Sequence, residues 1–162
     1  MKKIGSGSLF LDTAKSVFTS VSGQAYWNMK ARVERKGFYG LPFTLDSFRM
    51  HLLCAMGGIY DGFLRCRYCN GIFALDQVAV DHAHPLSRGG GVELDNLDFP
   101  CAPCNARKGS MTPDEYFLLL EFLENKIPLA KNDVLNRLEI SVQLAAADRA
   151  RKKREKRPLS LR

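Results

Sequence analysis

The chain, 162 residues long, reads as an α+β fold in which a small core is stapled by a four-cysteine zinc site and flanked by N- and C-terminal helices. Three observations predict this. Cys66-x-x-Cys69 and Cys101-x-x-Cys104 have the paired spacing with which structural sites bring thiolates to one zinc ion. Between the pairs, a short alternating stretch, a glycine-rich segment and a second apolar stretch read as two strands joined by a loop. On both sides, apolar residues recur at helical spacing between start and stop signals.

Residues 1–62 read as a helical N-terminal extension with a polar start. No apolar run follows Met1-Lys2-Lys3, because Ile4 gives way at once to Gly5-Ser6-Gly7-Ser8. A secretory leader is therefore not expected, and the cysteines are expected to stay reduced in the cytoplasm. Residues 24–36 are expected to be helical, with Gly37 as the stop, and Thr44 to cap a second helix through Leu45, Phe48, Leu52 and Met56 that ends at Gly57-Gly58. Residues 38–43 read as an apolar turn. Tyr26, Trp27, Phe38 and Phe43 read as core side chains rather than stacking platforms for bases. Cys54 reads as a small core residue, and His51 carries no assignment.

Residues 63–127 hold the paired cysteines and are expected to form the zinc-stabilised core. The stretch between the pairs, 70–100, is longer than a zinc ribbon needs, so the ion is expected to fasten the ends of a loop that carries something else. Asp81-His82 lies inside it. A disulfide pair, a redox Cys-x-x-Cys and unrelated buried thiols are the alternatives; paired spacing and a reducing compartment favour zinc. Residues 78–81 alternate as a strand does, 87–91 read as a flexible loop, and 97–99 as the returning strand. A short helix is expected over 103–108, with Pro103 in its first turn and Gly109 at its end. Pro85 is expected to end the first strand and leave His84 lining the turn, with contact to phosphate or metal as the alternative.

Thr112-Pro113-Asp114-Glu115 is a capping box with proline at the first helical position, and it opens a helix through Tyr116, Leu119, Leu120 and Leu123. Pro128 is expected to end that helix. Residues 128–148 are then expected to hold a last helix from about Asp133. Its stripe of Val134, Leu138, Val142 and Ala146 would pack on the body or join a second subunit in a homodimer. Residues 149–162 form a basic tail, with eight Lys or Arg against Glu155. The whole chain carries 24 basic and 17 acidic residues, so the body before the tail balances at 16 of each sign. Such a neutral body with a cationic end points to a tail, including Lys152, Lys153 and Arg154, that grips nucleic-acid phosphates. No run of roughly 18 apolar residues is present, so no membrane-spanning helix is expected.

The motifs VDHAHPLSRGGG (80–91), DNL (95–97) and CAPCNARKG (101–109) occur in the order in which they occur in the HNH endonucleases, and the stretch 66–112 resembles that family. The family includes intron-borne homing enzymes, restriction enzymes and phage packaging factors. The resemblance implies a ββα-metal fold, in which a two-stranded hairpin and a short helix grip one divalent cation, and hydrolysis of phosphodiester bonds in DNA, expected to be double-stranded. It assigns His82 as general base, Asp81 and Asn105 as ligands of the catalytic cation, and Asn96 as the asparagine that ties the loop and orients His82. Asn105 stands where the family's third letter is histidine. Carboxylate and amide oxygens are hard ligands, so magnesium or manganese is expected there rather than nickel or a second zinc. Arg88, Arg107 and Lys108 are candidate phosphate clamps. The competing reading is a non-catalytic zinc module that binds nucleic acid; it needs the four cysteines but not Asp81, His82 and Asn105 together.

Overall fold

A computed structural model describes residues 6–155, and the side-chain surroundings of residues 12–152. The chain runs α1 (Ser6–Glu34), α2 (Leu45–Ala55), β1 (Phe63–Arg65), β2 (Ile72–Ala74), β3 (Asp81–His82), β4 (Leu97–Asp98), α3 (Ala102–Lys108), α4 (Pro113–Glu124) and α5 (Pro128–Glu155). Helices with two small antiparallel sheets make the fold α+β. Two compact units divide the described residues, with the boundary between Ala102 and Pro103 in the first turn of α3. No helix among the described residues is long and apolar enough to cross a membrane.

In the first unit, α1 and α2 supply most of the core. Phe18, Tyr26, Met29 and Val33 of α1 and Phe48 and Leu52 of α2 are buried with Leu64, Leu75, Leu97 and Phe99 from the sheet region. Aromatic rings link the layers: Tyr26 and Phe48 lie 5.9 Å apart between centroids, and Phe48 and Phe99 also 5.9 Å. The Tyr26 hydroxyl donates to the Phe43 carbonyl at 3.0 Å, which satisfies the one polar atom of that ring.

α2 has its expected cap. Thr44 Oγ1 accepts from the Ser47 N–H at 3.2 Å, and the helix stops where Gly57 and Gly58 take φ of 76° and 78°, left-handed angles that glycine adopts without strain. The start of α1 corrects the expectation of a polar leader followed by a helix from 24. The helix already runs from Ser6, and Ala14 and Phe18 are buried along it. Trp27 is a second correction, being 56% exposed with Lys30 over its ring at 5.2 Å, while Tyr26, Phe38 and Phe43 do belong to the core. Cys54 is exposed as well, not a core thiol.

β1 and β2 form a hairpin in the register Phe63↔Ala74, Leu64↔Phe73 and Arg65↔Ile72. Their strands are too short to show a period in sequence, and they were not expected. β3 and β4 pair Asp81↔Asp98 and His82↔Leu97, and a bridge between Val78 and Cys101 extends the pairing. The segment read as a loop contains a hydrogen-bonded turn. A 3-10 turn spans Leu86–Arg88, Gly89 follows at φ 86°, and the Gly90 N–H donates to the Pro85 carbonyl at 3.1 Å. A side chain on Gly90 would collide with the carbonyls of His84 and Pro85.

In the second unit, α4 opens with the reciprocal capping box: Glu115 N–H to Thr112 Oγ1 at 3.3 Å and Thr112 N–H to Glu115 Oε2 at 2.8 Å. Tyr116 and Leu123 are its buried face. Pro128 starts α5 instead of merely closing α4, because at a helix's first position its missing N–H leaves nothing unsatisfied. α5 buries Leu135 and half-buries Val134 and Leu138, but leaves Val142 and Ala146 exposed. It continues through residues 149–155, so the first half of the basic tail is helical. Residues 156–162, and the side chains of Lys153 and Arg154, lie outside the described residues.

Candidate functional site

The Sγ atoms of Cys66, Cys69, Cys101 and Cys104 all lie within 4.8 Å of one another. Cys69 and Cys101 approach to 3.9 Å. Tetrahedral zinc thiolates with Zn–S near 2.3 Å have sulfurs about 3.8 Å apart, so the four cysteines fit a zinc site. Each pair is held by local structure. Cys66 sits at the end of the β1–β2 hairpin, where its N–H donates to the Gly71 carbonyl and its carbonyl accepts from Asn70, both at 2.9 Å. Asn70 takes a left-handed φ of 57° to close that turn. Cys101 is bridged to Val78, and α3 brings Cys104 one turn on. Burial pushes the Cys66 thiol up, but N–H groups of Cys101, Cys69 and Tyr68 outweigh it, and the net lowering favours the thiolate a metal requires.

Asp81 and His82 occupy β3. Asp81 is half-buried, whereas His82 is only 4% exposed and its Nε2 is shielded from solvent. The backbone just beyond them is closed by one side chain. Asn96 Oδ1 accepts from the His84 N–H at 2.7 Å, and Asn96 Nδ2 donates to the carbonyls of His84 at 3.0 Å and Gly91 at 2.7 Å. Its own carbonyl accepts from the Ala83 N–H at 2.8 Å. The two ends of the glycine-rich loop are thereby drawn to one amide directly after His82. The His84 ring hydrogen-bonds through Nε2 to the Arg88 carbonyl at 3.1 Å, within the turn.

Residues 66–117 match the HNH endonuclease family. The match begins at Cys66 and ends in α4, so it takes in both cysteine pairs, β2 to β4 and α3. It supports a nuclease function and a metal-binding core for this segment, with nucleic acid as the implied substrate. Neither a curated protein nor a solved structure matches the chain.

In the HNH segment Asn105 is half-buried on α3, one residue past Cys104. The three candidate clamps are not alike. Arg88 is exposed at the end of its turn. Arg107 is half-buried and paired with Glu139 of α5 at 3.3 Å. Lys108 is buried to 1% exposure, so its ammonium is not a surface cation. Lys152 is exposed and paired with Asp148 at 2.8 Å.

Sequence reasoning missed the charges around β3 and β4. Asp81 and Asp98 are cross-strand partners, an arrangement that like charges disfavour. Arg67 meets Asp98 at 2.8 Å, and the Tyr68 hydroxyl donates to the same carboxylate at 3.4 Å. Burial, then Asp98, pushes the Tyr68 phenol above its ordinary range and keeps it a donor. Arg32 of α1 donates through Nη2 to the Val80 carbonyl at 3.1 Å. Burial lowers its pKa, and the Asp81 carboxylate opposes that lowering. His51 of α2 lies 3.4 Å from the Leu97 carbonyl and against the Phe99 ring. No local pattern marks Arg32 or His51, because what they meet lies far along the chain.

Proposed function

We propose that the chain is a zinc-stabilised, metal-dependent HNH endonuclease that hydrolyses phosphodiester bonds in double-stranded DNA. The observation that carries this reading is Asp81-His82 on β3 with the following loop tied by Asn96, inside the family-matched segment.

Hydrolysis of a phosphodiester needs a base for the attacking water and neutralisation of the charge that develops on phosphorus. His82 is the base, since histidine ordinarily titrates near neutral pH and can take the proton from water. Its shielding from solvent reserves the imidazole for water admitted with the substrate. Asn96 keeps the backbone beyond His82 fixed and so holds the imidazole in register. On the family's pattern, Asp81 and Asn105 would hold magnesium or manganese, hard cations suited to carboxylate and amide oxygens. When bound, that cation supplies Lewis-acid stabilisation of the scissile phosphate. Arg88 and the cations of the tail, Lys152, Lys153 and Arg154, would contact the DNA backbone, with Arg107 and Lys108 in supporting positions. A second copy, joined through the exposed end of the α5 stripe, would give two cuts.

The test is incubation of zinc-loaded protein with supercoiled plasmid in magnesium, manganese or EDTA, beside His82→Ala. The expected result is metal-dependent nicking or linearisation that the variant loses while keeping its zinc. DNA binding without cutting in either metal would instead favour the non-catalytic zinc module, the reading that the buried His82 and Lys108 leave as the competitor.

A further inference from the structure

The family-matched segment starts at Cys66, yet one side chain from well outside it reaches the proposed centre. Arg32 stands in the last turn of α1, and its half-buried guanidinium donates to the carbonyl of Val80, the peptide group that leads directly into Asp81. The Asp81 carboxylate acts electrostatically to favour its charge, and the Arg35 cation to oppose it. The helix beneath it is firmly seated: Met29 and Val33, on either side of Arg32 in the sequence, are buried in the core. A planar guanidinium carries several donors in a fixed fork, so one group can fix a peptide carbonyl and still present charge to a neighbouring carboxylate.

We propose that Arg32 is a positioning residue for the nuclease reaction, holding the Val80–Asp81 backbone and the Asp81 carboxylate in the orientation that the catalytic cation needs. This rests on the nuclease reading above. Arg32 acts through Asp81 and touches no reacting atom. Its loss should therefore slow the chemical step without weakening the grip on DNA, since displacements of about 1 Å at a reacting centre cost on the order of 100-fold in rate.

The experiment uses the full-length, zinc-loaded chain and a labelled DNA duplex in manganese, comparing wild type with Arg32→Met, Arg32→Gln and Arg32→Lys. Rates over a range of DNA concentrations, zinc content and thermal melting are read for each. Arg32→Met and Arg32→Gln should lower kcat by roughly 10- to 100-fold while KM for DNA stays within about twofold, and Arg32→Lys, which keeps the charge and a donor group but not the planar fork, should recover to within about fivefold of wild type. Wild-type kcat in a folded Met or Gln variant overturns the assignment. So does a change confined to KM, which would make Arg32 a DNA contact. If Arg32→Met fails to fold, a folded Arg32→Gln with lowered kcat still supports the proposal. Loss of zinc or of the melting transition in both makes Arg32 a stability residue and overturns it. A wild-type protein inert in every metal removes the nuclease reading itself, and the role of Arg32 with it.

Discussion

The amide of Asn96 makes a hydrogen-bond set that no other side chain reproduces. Its oxygen accepts from an N–H and its nitrogen donates to two carbonyls, which fixes the amide's orientation because carbonyls cannot donate. Alanine there should leave the loop ends without partners and cost about 1–3 kcal/mol of stability. Aspartate should be no better, since it keeps only the acceptor and turns a carboxylate toward the carbonyls of His84 and Gly91. Denaturant midpoints of both variants check this, and an unmoved midpoint in either would show that the amide is not what closes the loop. The motifs that carry His82, Asn96 and Asn105 are contiguous and so stand out in the sequence. Lys108 was legible only by name: the motif placed it on the helix, but whether a lysine faces solvent depends on what surrounds it, and here it is buried.

Elements differ in how much of their stability is local. Thr44 and Thr112 cap helices through atoms three residues away, so α2 and α4 could be read from sequence with their starts correct. β1 and β2 are three-residue strands with Leu64 as their buried side chain in β1, and a hairpin of that size is not stable in water by itself. Zinc held by the four clustered cysteines would provide what the hairpin lacks, since metal affinity would then be folding free energy. Stripping zinc with a strong chelator, or replacing Cys66 with serine, should therefore release the hairpin while α1 and α2 persist. Amide exchange reads this directly. The Cys66 and Asn70 N–H groups should lose protection, and the N–H groups of Phe48 and Leu52 should keep it. Equal protection with and without metal would mean that the cluster is not a structural staple.

Across the whole molecule, charge and core are separately placed. The formal +7 equals the excess carried by residues 149–162, and α5 extends into that stretch as far as Glu155. Lys152 and then Arg151 hold the Asp148 carboxylate below its ordinary range, but these pairs are exposed and screened by salt, so they leave the cations available to phosphate. Deleting 149–162 should weaken DNA binding and flatten its salt dependence, by about 0.9 log unit for each phosphate that the tail neutralises. Titrations at several salt concentrations measure the slope, and a slope unchanged by truncation rejects a DNA-binding tail. By itself the sequence determined the cysteine pairs, the Asp-His and Asn motifs, the caps and the charge asymmetry, because each is written in residues a few positions apart. Tertiary structure alone decided that Trp27 faces outward, that His82 and Lys108 are buried, and that Arg32 meets the peptide group leading into Asp81. Those outcomes depend on which surfaces meet across long stretches of chain, and burial there outweighs what propensity or spacing can signal.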